Sequence, residues 1–157
     1  MNFNNFTIKA QEAVQKSIEL AQGNNQQMIE PVHLLKGVML VGENVTNFLF
    51  QKLGVNIASL QKNIDREIES CPRVSGGEPM LSRTSNSVFT KASDLAGKMG
   101  DQYVSLEHLL LALLMEGGKA SDLMKTAGVS QPQLEKAIQE LRKGENVTSQ
   151  SAEDTYQ

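Results

Sequence analysis

The sequence predicts an all-α protein, eight helices arranged as two pseudo-symmetric four-helix repeats. Three observations predict it. Apolar residues recur at helical spacing, aromatic residues make up only 4% of the chain with no Trp, and the second half of the chain repeats the first. A core of Leu, Ile, Val, Met and Ala suits packed helices, whereas sheets favour β-branched and aromatic side chains. With 157 residues, 39% of them hydrophobic, one body with a real core is expected.

The repeat sets the element boundaries. At a shift of 75 residues, Leu20-Ala21 falls on Leu95-Ala96, Gln27 on Gln102, and His33-Leu34-Leu35 on His108-Leu109-Leu110. At a shift of 74, Leu49 meets Leu123, Gly54-Val55 meets Gly128-Val129, and Leu60, Lys62 and Ile64 meet Leu134, Lys136 and Ile138. A one-residue loop change accounts for the slip.

The first helix of copy one carries the stripe Phe6, Ala10, Ala13, Val14, Ile18 and Ala21, and Val88, Ala92, Leu95, Ala96 and Met99 form its counterpart. The second helices, Val32 to Leu40 and Leu106 to Met115, are apolar almost all round, which places them at the centre. Pro31 suits a first helical position, Ser105 can cap the helix from Leu106, and Ser130 with Gln133 reads as a capping box. Gly54 and Gly128 mark the ends of the third helices. The fourth helices follow with stripes Ile57, Leu60, Ile64, Ile68 and Leu134, Ala137, Ile138, Leu141. Repeat one is thus expected over about 1–71 and repeat two over about 82–143. Residues 72–81, with Pro72, Gly76, Gly77 and Pro79, form a linker. From 144 to 157 the chain is polar and without period, so a flexible tail leading toward an absent further domain is expected.

Charge and cysteine usage narrow the partners. Three of the eighteen acids, Glu145, Glu153 and Asp154, follow Lys143, leaving fifteen acidic against fifteen basic residues before them. A neutral body without a basic stripe argues against nucleic acid. The longest apolar run, Leu109 to Met115, is far short of the roughly 20 residues needed to span a bilayer, so no membrane partner is expected. The single Cys71 and the absence of a secretory signal point to a cytoplasmic location.

Chemistry is sparse. Gly117-Gly118-Lys119-Ala120 lacks the upstream Gly and the final hydroxyl of a phosphate-binding loop and reads as an interhelical loop. His33 and His108 occupy equivalent positions in the two copies, so a shared metal is not expected; each reads as a first-turn residue bonded to the chain nearby. Cys71 has no His or second Cys beside it. No polar cluster shows inside the helical stripes, so no catalytic residue, metal or cofactor is expected in this chain. Asp101 and Glu107 flank the start of the buried helix of copy two. They read either as capping residues or as a fixed negative site for a basic ligand.

The Phe6-Thr7 start, Glu30-Pro31-Val32-His33-Leu34-Leu35, and its duplicate Ser105-Leu106-Glu107-His108-Leu109-Leu110 together resemble the Clp N-terminal repeat over essentially the whole chain. The ending, Gly144-Glu145-Asn146-Val147 through Ala152-Glu153-Asp154, is similar to the stretch that joins this domain to the first ATPase domain in the disaggregase branch of the Clp AAA+ chaperones. The resemblance implies a substrate-capturing N-terminal domain, monomeric as a fragment. Its parent chain would be a homohexameric ATPase, with ATP and Mg bound in other domains. The parent would solubilise aggregated protein with the DnaK system, in a stress response. Partners would then be exposed segments of unfolded or aggregated protein. A second branch, in which the domain docks folded adaptor proteins for a Clp protease, shares the repeat. By position the family's binding residues fall on Thr7, Asp101 and Glu107, with an apolar groove assigned to Val88, Phe89, Leu95 and Leu110. At the offset of 75, Asp101, Ser105 and Glu107 face Gln26, Glu30 and Val32 of copy one, so one asymmetric site on a symmetric scaffold is expected.

Overall fold

The computed structural model describes residues 2–74 and 76–156, and among these the chain forms eight α-helices. Copy one supplies α1 (Ile8–Gly23), α2 (Pro31–Val41), α3 (Glu43–Lys52) and α4 (Ile57–Ser70); copy two supplies α5 (Arg83–Lys98), α6 (Leu106–Glu116), α7 (Lys119–Thr126) and α8 (Gln131–Arg142). α2 and α6 lie at the centre, as their all-round apolar character requires, and Leu106 and Leu109 to Leu114 are all buried. Leu40, at the far end of α2, departs from this pattern and is 48% exposed.

The two copies are interleaved rather than set side by side. β1 (Met28–Ile29) of copy one pairs in parallel with β2 (Met80–Leu81), which leads into copy two. A parallel bridge between Phe6 and Val104 makes the reciprocal connection. The shift of 75 maps Ile29 onto Val104 and Phe6 onto Leu81, so the two bridges are symmetry mates. The end of the expected linker is therefore a strand; Ser75 lies outside the described residues. Further contacts cross between copies, α3 on α8 and α4 on α7. Each copy thus covers apolar surface the other cannot bury alone. No helix among the described residues is long and apolar enough to cross a membrane.

Local chemistry matches most expected boundaries. Thr7 and Asn56 accept from Ala10 and Ser59 N–H as N-caps of α1 and α4. Gly54 and Gly128 take positive φ, +71° and +100°, just past α3 and α7. The Ser130–Gln133 box does not form, and Ser130 makes no side-chain cap bond. Pro132 stands at the second helical position, where it removes one of the two N–H groups such a cap would satisfy.

α1 crosses α2 at Gly37, where a Cβ would lie 2.6 Å from the Ala13 carbonyl oxygen. That neighbour is backbone and cannot rotate away. Gly37→Ala is expected to cost about 1–3 kcal/mol through overpacking. A shift of the urea midpoint at constant m would measure it. The equivalent position of copy two already holds Ala112, fully buried, so Ala112→Gly is expected to be the milder change.

Candidate functional site: a buried polar cluster closed by the tail

The segment after Lys143 is where the structure departs most from expectation. Instead of a free tail, Val147 is buried, Ala152 and Glu153 are each 7% exposed, and Ala152–Thr155 forms a 3-10 turn. The tail is fixed by backbone hydrogen bonds, Ile8 N–H to the Gln150 carbonyl and Gln102 N–H to the Val147 carbonyl, each 2.8 Å. A polar, aperiodic composition reads as solvated, yet these donors are spare groups at the start of α1 and in the turn before α6. The tail satisfies them.

The tail meets all three residues selected by the resemblance. Thr7 Oγ1 donates to Glu153 Oε2 at 2.6 Å. Tyr156 Oη donates to Glu107 Oε2 at 2.9 Å. The Val147 N–H donates to Asp101 Oδ1 at 2.9 Å. Glu153 Oε2 also accepts the Leu106 N–H, 3.0 Å away, one of the donors left free at the start of α6. Thr7, Asp101 and Glu107 are therefore brought together, but Thr7 and Glu107 are wholly buried and the Asp101 side chain is 0% exposed.

Their charge is balanced by a residue the sequence reading passed over. Arg142, at the end of α8, is 4% exposed, with Nε 2.9 Å from Glu107 Oε2 and Nη1 2.9 Å from Asp101 Oδ2. An open negative site for a basic ligand is thus not what the acids form. Burial pushes Asp101 upward, but hydrogen bonds from His108 and the Val147 N–H, together with Arg142, outweigh it and hold the carboxyl below its usual range. For Arg142, burial works against the charge and is overcome by Glu107 and Asp101, so its pKa rises.

The two histidines confirm the local reading and reveal the repeat's chemistry. Nδ1 of His33 accepts the Glu30 N–H at 2.9 Å, and Nδ1 of His108 accepts the Ser105 N–H at 2.8 Å. Each Nε2 then carries the proton, donated to Gln26 Oε1 at 2.6 Å in copy one and Asp101 Oδ2 at 2.7 Å in copy two. Burial lowers the His33 pKa to about 4, against the bond from Glu30, so this imidazole is neutral at physiological pH. Ser105 Oγ lies 3.1 Å from His108 Nδ1, an order reminiscent of a nucleophilic triad. That nitrogen is already occupied by the Ser105 N–H and Ser105 is fully buried, so the string acts as a helix cap. No group of three or more metal-ligating side chains is arranged to hold an ion among the described residues.

The expectation of no polar cluster within the stripes is thus overturned. Residues 7, 101–108, 142 and 153–156 converge only in three dimensions. Repeat arithmetic could have found Arg142, because at the offset of 74 it faces Ile68, a buried stripe residue of copy one. The apolar candidates are core instead of groove: Val88, Phe89 and Leu110 are at most 1% exposed and Leu95 is 8%. Phe89 packs edge-on against Phe3, centroids 5.2 Å apart. An open groove of about 770 Å³ runs instead between the α2–α3 corner and the tail, lined by Leu40, Val41, Phe48, Leu141 and Tyr156. It borders the polar cluster through Glu153.

The model of the Clp repeat (R) N-terminal domain family matches residues 5–127. The chain is 60% identical, over all of its length, to the chaperone protein ClpB of Bacteroides thetaiotaomicron. It is 54% identical, over 99% of its length, to ClpB of Porphyromonas gingivalis, and spans 18% of the length of each. Among solved structures it is similar to the Hsp104 N-terminal domain from Candida albicans, with a TM-score of 0.84 and 25% identity, covering 96% of this chain and 99% of that one.

Proposed function

Because the chain belongs to the Clp repeat N-terminal domain family, we propose that it is the substrate-capturing N-terminal domain of a ClpB-type, ATP-driven disaggregase. The parent works as a cytoplasmic homohexamer with the DnaK system, and ATP and Mg are bound by domains outside this chain. The domain engages exposed segments of unfolded or aggregated protein around Thr7, Asp101 and Glu107. One observation carries this reading: all three side chains bond to one short segment of polypeptide, Val147–Tyr156, through one backbone N–H, one carboxyl group and one phenol. A site that accommodates this segment of its own chain has the chemistry to accommodate another. Copy one offers nothing comparable, since Gln26, Val32 and Ile68 replace Asp101, Glu107 and Arg142.

Capture by one domain is weak, and six copies on one hexamer raise it through avidity. Chemical-shift mapping of the chain against an unfolded protein, reduced carboxymethylated α-lactalbumin, is expected to move signals of Thr7, Asp101 to His108, and Val147 to Tyr156. A response confined to a remote face, or no response to unfolded chains together with tight docking of a folded adaptor, would sink the proposal.

A further inference from the structure

The tail does more than terminate the domain. It makes a hydrogen bond to each of the three proposed binding residues and buries two apolar side chains, Val147 and Ala152. It runs between Ile8 and Gln102 by backbone hydrogen bonding, as a bound peptide would. We propose that residues Glu145–Tyr156 are an intramolecular ligand of the Thr7–Asp101–Glu107 site, so that a substrate segment enters only where the tail has left. The displacing segment carries the tail's own chemistry: backbone groups free to hydrogen-bond, an aliphatic anchor and, in a turn, a carboxyl group. This proposal rests on the substrate-capture reading for the identity of the competitor, but not for the tail's own binding.

Two features of the cluster set this preference for a carboxyl group and make the tail releasable. The place held by Glu153 is a donor site, with the Thr7 hydroxyl and the Leu106 N–H both aimed at one carboxylate oxygen, and a Lys or Arg there would meet donors instead of acceptors. The other oxygens, Oε1 of Glu107 and Oε1 of Glu153, are buried without a partner. Docking the tail leaves Glu153 Oε1 without a partner, whereas an undocked tail returns it to water. The groove beside Tyr156, with Leu40 half-exposed on its wall, gives an incoming segment a foothold before the tail leaves.

The test uses the whole chain. In Glu153→Ala with Tyr156→Ala, a labelled synthetic peptide of residues 145–156 is expected to bind at least tenfold more tightly than to the wild-type chain, with circular dichroism unchanged. Equal binding, or no binding to a folded variant, overturns the proposal. A second chain carries Ile8→Cys and Gln150→Cys, neighbours across the Ile8 N–H to Gln150 bond, in a Cys71→Ser background. Its oxidised form is expected to bind reduced carboxymethylated α-lactalbumin at least tenfold more weakly than its reduced form; equal affinity of the two forms overturns the proposal. If the peptide binds the variant while no form binds the unfolded protein, the self-ligand stands and the substrate-capture reading falls.

Discussion

Arg142→Ala is expected to destabilise the chain by about 3–5 kcal/mol, the usual cost of removing one partner from a buried ion network. The substitution strands Asp101 and Glu107, both 0% exposed at the side chain, with their bonds to Nη1 and Nε lost. Urea unfolding would read it as a fall in midpoint at nearly constant m. The repeat supplies the control. Asp101→Gln, Glu107→Val and Arg142→Ile together install the residues copy one uses at these positions. The triple variant buries no unpaired charge, and apolar replacement of a buried ionic set is often neutral. It is expected to recover most of the loss, short of the bond to Tyr156, worth about 1 kcal/mol. It should then fold yet fail to bind an unfolded protein. If it is as unstable as Arg142→Ala, charge balance is not what Arg142 supplies. Changing Asp101 and Glu107 to Ala alone is a poorer test, because it leaves the Arg142 guanidinium buried and unpaired.

The same comparison between copies explains what could be read from the sequence. Helix number, order and boundaries were legible because each stripe appears twice, and α2 and α6 declare themselves by being apolar all round. The asymmetry of the site was legible too, in Asp101 and Glu107 facing Gln26 and Val32. Their environment was not. A carboxylate near a helix start looks the same in sequence whether it faces solvent or a guanidinium 35 residues away, as between Glu107 and Arg142. Val88, Phe89, Leu95 and Leu110 were mistaken for a groove because core and groove demand the same apolar spacing, and only burial separates them. The tail escaped for the opposite reason. Its burial rests on Val147, Ala152 and a few hydrogen bonds, without any period, and the groups that receive it come from two distant segments, Thr7–Ile8 and Asp101–Glu107.

Tail docking is expected to weaken as pH rises from about 4.5 to 7, the second large effect. Burial, then the charge of Glu107, raise the Glu153 pKa from 4.5 to about 7, against the Thr7 hydroxyl and the Leu106 N–H. Beside this carboxyl stand Glu107 of α6 and Tyr156 of the tail itself, Arg142 of α8 lies on the far side near Tyr156, and Lys9, Glu43 and Asp154 line the adjoining groove. The docked tail holds a proton that the free tail gives up, so its stability is fully present below pH 4.5 and is lost as pH passes 7. The difference corresponds to roughly 3 kcal/mol of docking free energy. Asp101 works in the other direction. Its pKa is lowered by His108, the Val147 N–H and Arg142, of which only the Val147 N–H leaves with the tail, so its contribution is present above its ordinary 3.8 and is lost as pH falls below that, outside the window of Glu153. Docking should therefore be tightest near pH 4–5 and loosest above 7. Amide exchange at Ile8 and Gln102, whose N–H groups the tail carbonyls accept, measures this once corrected for base-catalysed intrinsic rates. Protection is expected to fall across the window in the wild-type chain. In Glu153→Gln, which keeps the acceptor but cannot ionise, it is expected to stay level, and a pH profile identical to that of the wild type would remove Glu153 as the titrating group.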